Sequence, residues 1–323
     1  MTTNAIAADK PLKIRSVFDI NAAYCAIKTN GVLGMDNRDS AFEGRGFGTA
    51  STNSLLVLEN GENDFTVEIG AVGWFSDKNQ TEDERKKFNL KSGCKVELTA
   101  FKGNQSKILS SLNVTINEAG VPVAATGDLE NNKVVNNITV TKTLGPQVKK
   151  GHIPTEYFVD NYYPENMELY QFTKKVHLQG LPEWKWTHAV PFTGKPEQML
   201  ALKQAYYELW KLFALKDKNA IKSRLDVSLK AWALTTDDSV DEIFNDNDFL
   251  QDFGNSGFKM IPINWDDYEV VAYNKNRMVR FINKSDPEQT PLSYYITTET
   301  GDEILCTYSP MFSFIDGKFI PVI

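Results

Sequence analysis

Apolar residues alternate with polar ones over a long stretch of this chain and then change period. Between Ser54 and Leu144, Phe65, Val67, Ile69 and Ala71 alternate with Thr66, Glu68 and Gly70. Val96, Leu98 and Ala100 follow the same rule, as do Leu112, Val114 and Ile116, and then Ile138 and Val140. A period of two is that of a strand with one face in a core. Glu59-Asn60-Gly61, Lys102-Gly103-Asn104 and Glu118-Ala119-Gly120 separate these runs as turns. With Thr81 to Lys87 as the one helical insert, the pattern predicts an antiparallel β-sandwich over residues 11–145.

At Pro196 the period becomes helical. Proline suits the first helical position and Glu197 complements the helix dipole. Met199, Leu202, Tyr206, Leu209, Trp210 and Phe213 make one apolar face, and Leu200, Tyr207 and Leu212 widen it, so this helix should be covered on more than one side. A second helix is expected from Lys218 to Ala233 and a third from Ser239 to Leu250. From Phe258 to Ile323 the alternation returns, broken by Asn274-Lys275-Asn276, Thr300-Gly301-Asp302 and Asp316-Gly317. Helices followed by a meander predict a cone-shaped α+β domain over residues 196–323. The fold class is therefore α+β with two domains, joined by an aromatic-rich connector over 146–195 that holds one strand, Tyr170 to Leu178.

Two stretches fit neither period cleanly. Val17, Ile20, Ala23, Tyr24 and Ile27 have helix-like spacing. Gly44-Arg45-Gly46-Phe47-Gly48 lacks the Lys-Ser/Thr of a phosphate loop and reads as a flexible loop or a bulged edge strand.

Composition narrows the function. A 323-residue chain with 41% apolar and 24% charged residues is that of a globular protein, and its net charge of -7 argues against nucleic acid as a partner. No apolar run approaches a membrane span. Ala5-Ile6-Ala7 has the small-residue form of a signal-peptidase site without the charged and apolar regions that should precede it. Read as a signal stub it places the protein in the periplasm or outside the cell; read as a polar tail it leaves a cytoplasmic location. If exported, Cys25 and Cys94 are the pair to join in a disulfide; two buried reduced thiols are the alternative.

The chain nominates no catalytic residue, metal ligand or cofactor. Its three histidines, His152, His177 and His188, have no zinc spacing, and neither an HExxH nor a GxSxG occurs. Adjacent carboxylates such as Asp237-Asp238 and Asp266-Asp267 read as solvated caps. The candidates for ligand or partner contact are Trp184, Trp186, His188, Tyr206 and Tyr207. The two tryptophans at alternate positions either plug the seam between domains or form an aromatic platform.

The run Tyr207-Glu208-Leu209-Trp210-Lys211-Leu212-Phe213-Ala214-Leu215-Lys216-Asp217-Lys218-Asn219-Ala220-Ile221 resembles the opening of a nuclear-transport-factor-2-like, or SnoaL-like, domain. The first part of the chain is similar in a generic way to immunoglobulin-like sandwiches. The first resemblance implies a cone that serves either isomerase-type chemistry or binding and dimerisation. A phenol from Tyr206 or Tyr207 with Asp226 or Asp266 as base would suit the chemistry, but no motif fixes either pair. An open cone with an inward acid would favour an enzyme, and one plugged by Trp210, Trp232 or Phe312 a scaffold. The expected function is a non-catalytic binding protein with a protein partner, in its concrete form an exported bacterial immunity protein that occludes a toxin. The alternatives are a small-molecule-binding or isomerase-type enzyme and a cell-envelope glycan-binding module using Trp184 and Trp186.

Overall fold

A computed structural model describes residues 12–124, 129–130, 133–134 and 137–323; the Ala5-Ile6-Ala7 motif lies outside them. The fold is mixed α+β with antiparallel sheets. One five-stranded sheet runs in the order Gly48–Asn53, Leu12–Asn21, Gly93–Lys102, Gln105–Ile116, Pro122–Ala124. A second runs Ile138–Leu144, Glu168–Leu178, Gly61–Gly70, Tyr24–Thr29, Val32–Asp36. Ile14, Phe18, Val96 and Leu98 of the first share one core with Ile27, Val67, Ile69 and Phe172 of the second. Each such side chain stabilises the fold by about 1.5–3 kcal/mol relative to exposure.

Two expectations change here and a third stretch is placed. The segment with helix-like spacing is two strands. Ile14, Ser16, Phe18 and Ile20 are buried at period two, and Ala22 turns the chain with a positive φ of 47°. The turn shifts the phase, so positions counted across it mimic a helix. The strand expected in the connector lies inside the second sheet, with Phe172 opposite both Val140 and Val67. A boundary at residue 145 therefore falls between two paired strands. The glycine-rich loop leads into the edge strand Gly48–Asn53. Gly46, at φ +63°, passes so close to the Ala23 backbone that a Cβ there would stand 2.8 Å from its nitrogen.

Two short helices sit on the first half, α1 (Arg38–Phe42) and α2 (Glu82–Arg85). Thr81 starts α2 with a reciprocal capping box to Glu84. The helical block holds α3 (Pro196–Ala214), α4 (Lys218–Arg224), α5 (Asp226–Thr236), α6 (Val240–Asn245) and α7 (Asp248–Asp252). The second expected helix is thus broken at Leu225 and the third at Asn247. The strands after Phe258 divide between two sheets rather than forming one meander. One joins Lys259–Met260, Ser293–Thr297 and Glu303–Thr307; the other joins Tyr268–Tyr273, Met278–Asn283, Phe312–Ile315 and Lys318–Pro321. No described helix is long and apolar enough to cross a membrane.

The two halves meet over a continuous apolar surface, with Met278, Met311 and Val322 belonging to the core of the first two sheets. Asn274, Lys275 and Asn276 all take positive φ, and this hairpin tip docks on the first half. The Asn274 side-chain amide donates to the Val57 carbonyl at 3.1 Å, and its backbone N–H donates to Asn30 O at 3.0 Å. Glu59 beside it accepts from Arg277 at 2.6 Å and Lys275 at 2.5 Å.

Candidate functional site

Trp184 and Trp186 sit at the seam, as the plug reading expects. They flank and enter the single 3-10 turn Lys185–His188, which throws both indoles to the same side. Trp184 Nε1 donates to Leu55 O at 3.1 Å and Leu58 O at 3.0 Å, and Trp186 Nε1 to Leu56 O at 3.1 Å. Both rings are buried, and Arg277 covers Trp186 with its guanidinium 5.2 Å from the ring centroid. A stacking platform needs an open ring face, and neither buried indole presents one.

What the indoles offer is a wall. Together with Val227, Ala231, Leu234 and Val322 they line a groove of about 280 Å³ between the Pro182–Trp186 segment and α5. Its rim is ionic: Lys230 pairs with Asp226 at 2.8 Å, and His188 meets Glu183 through Nε2 at 2.9 Å. Leu234 is 46% exposed, an apolar group on the lip. The groove presents an apolar floor and charged edges.

Tyr206 and Tyr207, neighbours on α3, go opposite ways. Tyr206 is buried; its hydroxyl accepts from the Phe281 N–H at 3.1 Å and donates to Pro310 O at 3.4 Å. Its ring packs edge-on against Phe281 and lies 4.6 Å from the Phe312 ring. Burial pushes its pKa far above the usual tyrosine value. Asp226 and Asp266 do not approach this hydroxyl: Asp226 pairs with Lys230, and Asp266 stands in the exposed turn Trp265–Asp267. Tyr207 points outward, stacks on Trp210 at 6.2 Å and carries Lys211 over its ring at 5.0 Å. Leu200 on the same face is 71% exposed, so the outer side of α3 lacks the cover its sequence called for.

Cys25 and Cys94, on neighbouring strands of the two large sheets, are both buried and stand as free thiols. Burial first, then the neighbouring Cys94, pushes the Cys25 thiol well above its ordinary value.

Two polar clusters escaped the sequence reading because each joins segments more than 100 positions apart. His152 Nδ1 donates to Asp267 Oδ1 at 2.9 Å on the wall of a cavity of about 230 Å³, near Tyr268 and Ser293. Burial pushes the Tyr268 phenol up to about 12, with the Asp267 charge adding to it. Arg38 is buried at the waist, where the first half meets the Asp286–Glu288 turn of the second, held by Asp36 at 3.1 Å and Glu288 at 3.3 Å, with Tyr163 under its guanidinium at 4.3 Å. Tyr162-Tyr163 was legible only as part of an aromatic-rich run. Among the described residues no group of three or more His, Cys, Asp or Glu could hold a metal ion.

No protein-family model, curated protein or solved structure matches the chain.

Proposed function

We propose that this chain is a non-catalytic protein-binding protein that seats an apolar segment of its partner in the groove between the Trp184–Trp186 turn and α5. Its architecture reads as an immunoglobulin-like sandwich joined to a cone of the nuclear-transport-factor-2-like kind. The observation that carries the reading is the filled interior behind α3, where Tyr206, Phe281 and Phe312 occupy the space a substrate would need. With the interior behind α3 filled by these side chains, recognition falls to the surface, and the groove pairs an apolar floor with ionic edges. The concrete form is an exported immunity protein that occludes a toxin, and the acidic net charge suits a basic partner.

The test is affinity capture from the native cell envelope with the intact chain and with Leu234→Glu. A stoichiometric partner that is lost in the variant, at unchanged circular dichroism, supports the groove. Capture that survives Leu234→Glu moves the interface elsewhere, and the absence of a stoichiometric partner removes the reading.

A second reading rests on the His152–Asp267 pair. A carboxylate holding Nδ1 leaves Nε2 as the acceptor, the arrangement of a general base, beside a cavity that could admit a small molecule. It shifts the small-molecule alternative out of the cone. Loss of ligand-induced thermal stabilisation in His152→Ala, across a metabolite screen, would favour it over the binding reading.

A further inference from the structure

We propose that the aromatic cavity at the waist of the molecule binds an alkylated ammonium group. The cavity, of about 250 Å³, lies between the segment Ile153 to Tyr163 and the Asp286 turn. Its walls are Phe42, Tyr157, Phe158, Tyr162 and Tyr163, with Asp286 at the edge. Phe42 meets Tyr162 at 79° and Tyr162 meets Tyr163 at 85°, so successive rings stand nearly at right angles and form the corner of a box.

Charge selects the occupant. Aromatic faces are negative at their centres and attract cations. These rings already do so within the chain: the Arg38 guanidinium lies 4.3 Å from Tyr163 and 5.4 Å from Tyr162, and Lys150 Nζ lies 5.1 Å from Phe158. Around them stand Asp36, Asp39, Asp160, Asp286 and Glu288, against Arg38 and Lys150. The balance is negative, and a further cation fits it.

Hydrogen bonding selects the kind of cation. A primary ammonium has three donors to satisfy when it leaves water. Ser285 Oγ, on the lining, already donates to Lys149 O and accepts from the His152 N–H. Asp286 Oδ1 already accepts from the Tyr163 hydroxyl at 3.0 Å and the Glu288 N–H at 3.0 Å. Asp286 Oδ2 is the carboxylate oxygen with no protein donor among the described residues. A primary amine could give one of its three donors to Asp286 Oδ2 and would lose the bonds to water made by the others. A trimethylammonium group has no donors to lose and gains contact with the aromatic walls that Arg38 and Lys150 leave uncovered. The head group could arrive on a free solute or on a methylated lysine of a protein, and the experiment separates these sources.

Calorimetric titration of the intact chain with choline, trimethyllysine amide, lysine amide and the uncharged isostere dimethylbutanol tests the proposal. Choline or trimethyllysine amide should bind at least about 10-fold more tightly than both lysine amide and the isostere. The tighter of the two names the source. Asp286→Asn, which preserves shape, and Phe42→Ala, at the solvent edge, should each weaken binding about 5-fold or more with the thermal transition unchanged. Equal binding of the uncharged isostere, no heat with either trimethylammonium probe, or full binding in both variants would overturn it.

Discussion

The Tyr206 ring lies 4.6 Å from Phe312, tilted by 44°, in the middle of the space enclosed by α3 and the last strands. A phenol offered by sequence as a catalytic group is here a structural one. Its hydroxyl satisfies a buried backbone N–H at Phe281 that has no solvent to turn to. Tyr206→Phe should therefore destabilise the fold by about 1–3 kcal/mol, since the Phe281 amide is left unpaired. Tyr206→Ala should cost about 3–5 kcal/mol by opening a cavity as well. Urea unfolding of the two variants measures both, and equal stability of Tyr206→Phe and the parent would refute the structural role.

Glu59 ties stability to pH. Burial alone would raise its carboxyl, but hydrogen bonds from Arg277 and Lys275 outweigh it and hold the group below the ordinary value of 4.5. A carboxyl lowered by folding stabilises the protein above that unfolded value, and the contribution is lost as pH falls through the folded value. Chemical unfolding followed from pH 6 downward should show the parent losing stability below about 4.5 more steeply than Glu59→Gln. At neutral pH the variant should be weaker by about 1.5–3 kcal/mol, because hydrogen bonds to a charged group are removed.

Gly46 allows the loop between α1 and the edge strand to press on the Ala22–Ala23 turn. A methyl there would stand 2.5 Å from Val72 Cγ2 as well as 2.8 Å from the Ala23 nitrogen, at a positive φ. Gly46→Ala should destabilise by about 1–3 kcal/mol from the backbone alone, with the clash in addition. Gly44→Ala shares the positive φ but has no atom within 4 Å of its Cβ. It should cost clearly less, and the difference in melting temperature between the two isolates the contact.

Native thiol chemistry should distinguish the three cysteines. Cys25 and Cys94 are buried, and Cys306 is half-buried. Under native conditions Ellman's reagent should label Cys306 alone, with the other two released only at the rate of unfolding. Fast labelling of three thiols at pH 8 would show that the core opens locally.

Much of the architecture was readable because it is local. The strand around Phe65, Val67 and Ile69 announced itself through strict alternation, and all three are buried. Val140 belongs to the same pattern yet is 51% exposed, because its strand lies at a sheet edge, a placement set by pairing rather than by its own residues. The strands on either side of Ala22 were lost when a turn reset the phase. The Trp184–Trp186 pair was legible as a pair, but its burial depended on carbonyls at Leu55, Leu56 and Leu58, over 120 positions away. The waist cluster needed Arg38, Tyr163 and Glu288 from three segments, and no spacing rule connects them.

The docking of the second half on the first has a consequence for biosynthesis. Met311 and Val322 complete a core whose first members, Ile14 and Phe18, lie some 300 positions earlier. The carbonyl of Val57 receives its partner from Asn274 at the hairpin tip. While the ribosome is still adding the last strands, the early sheets stand with one side open and polar groups unmet. Folding of the first half should thus be completed only after the second has emerged, with an apolar surface exposed until then.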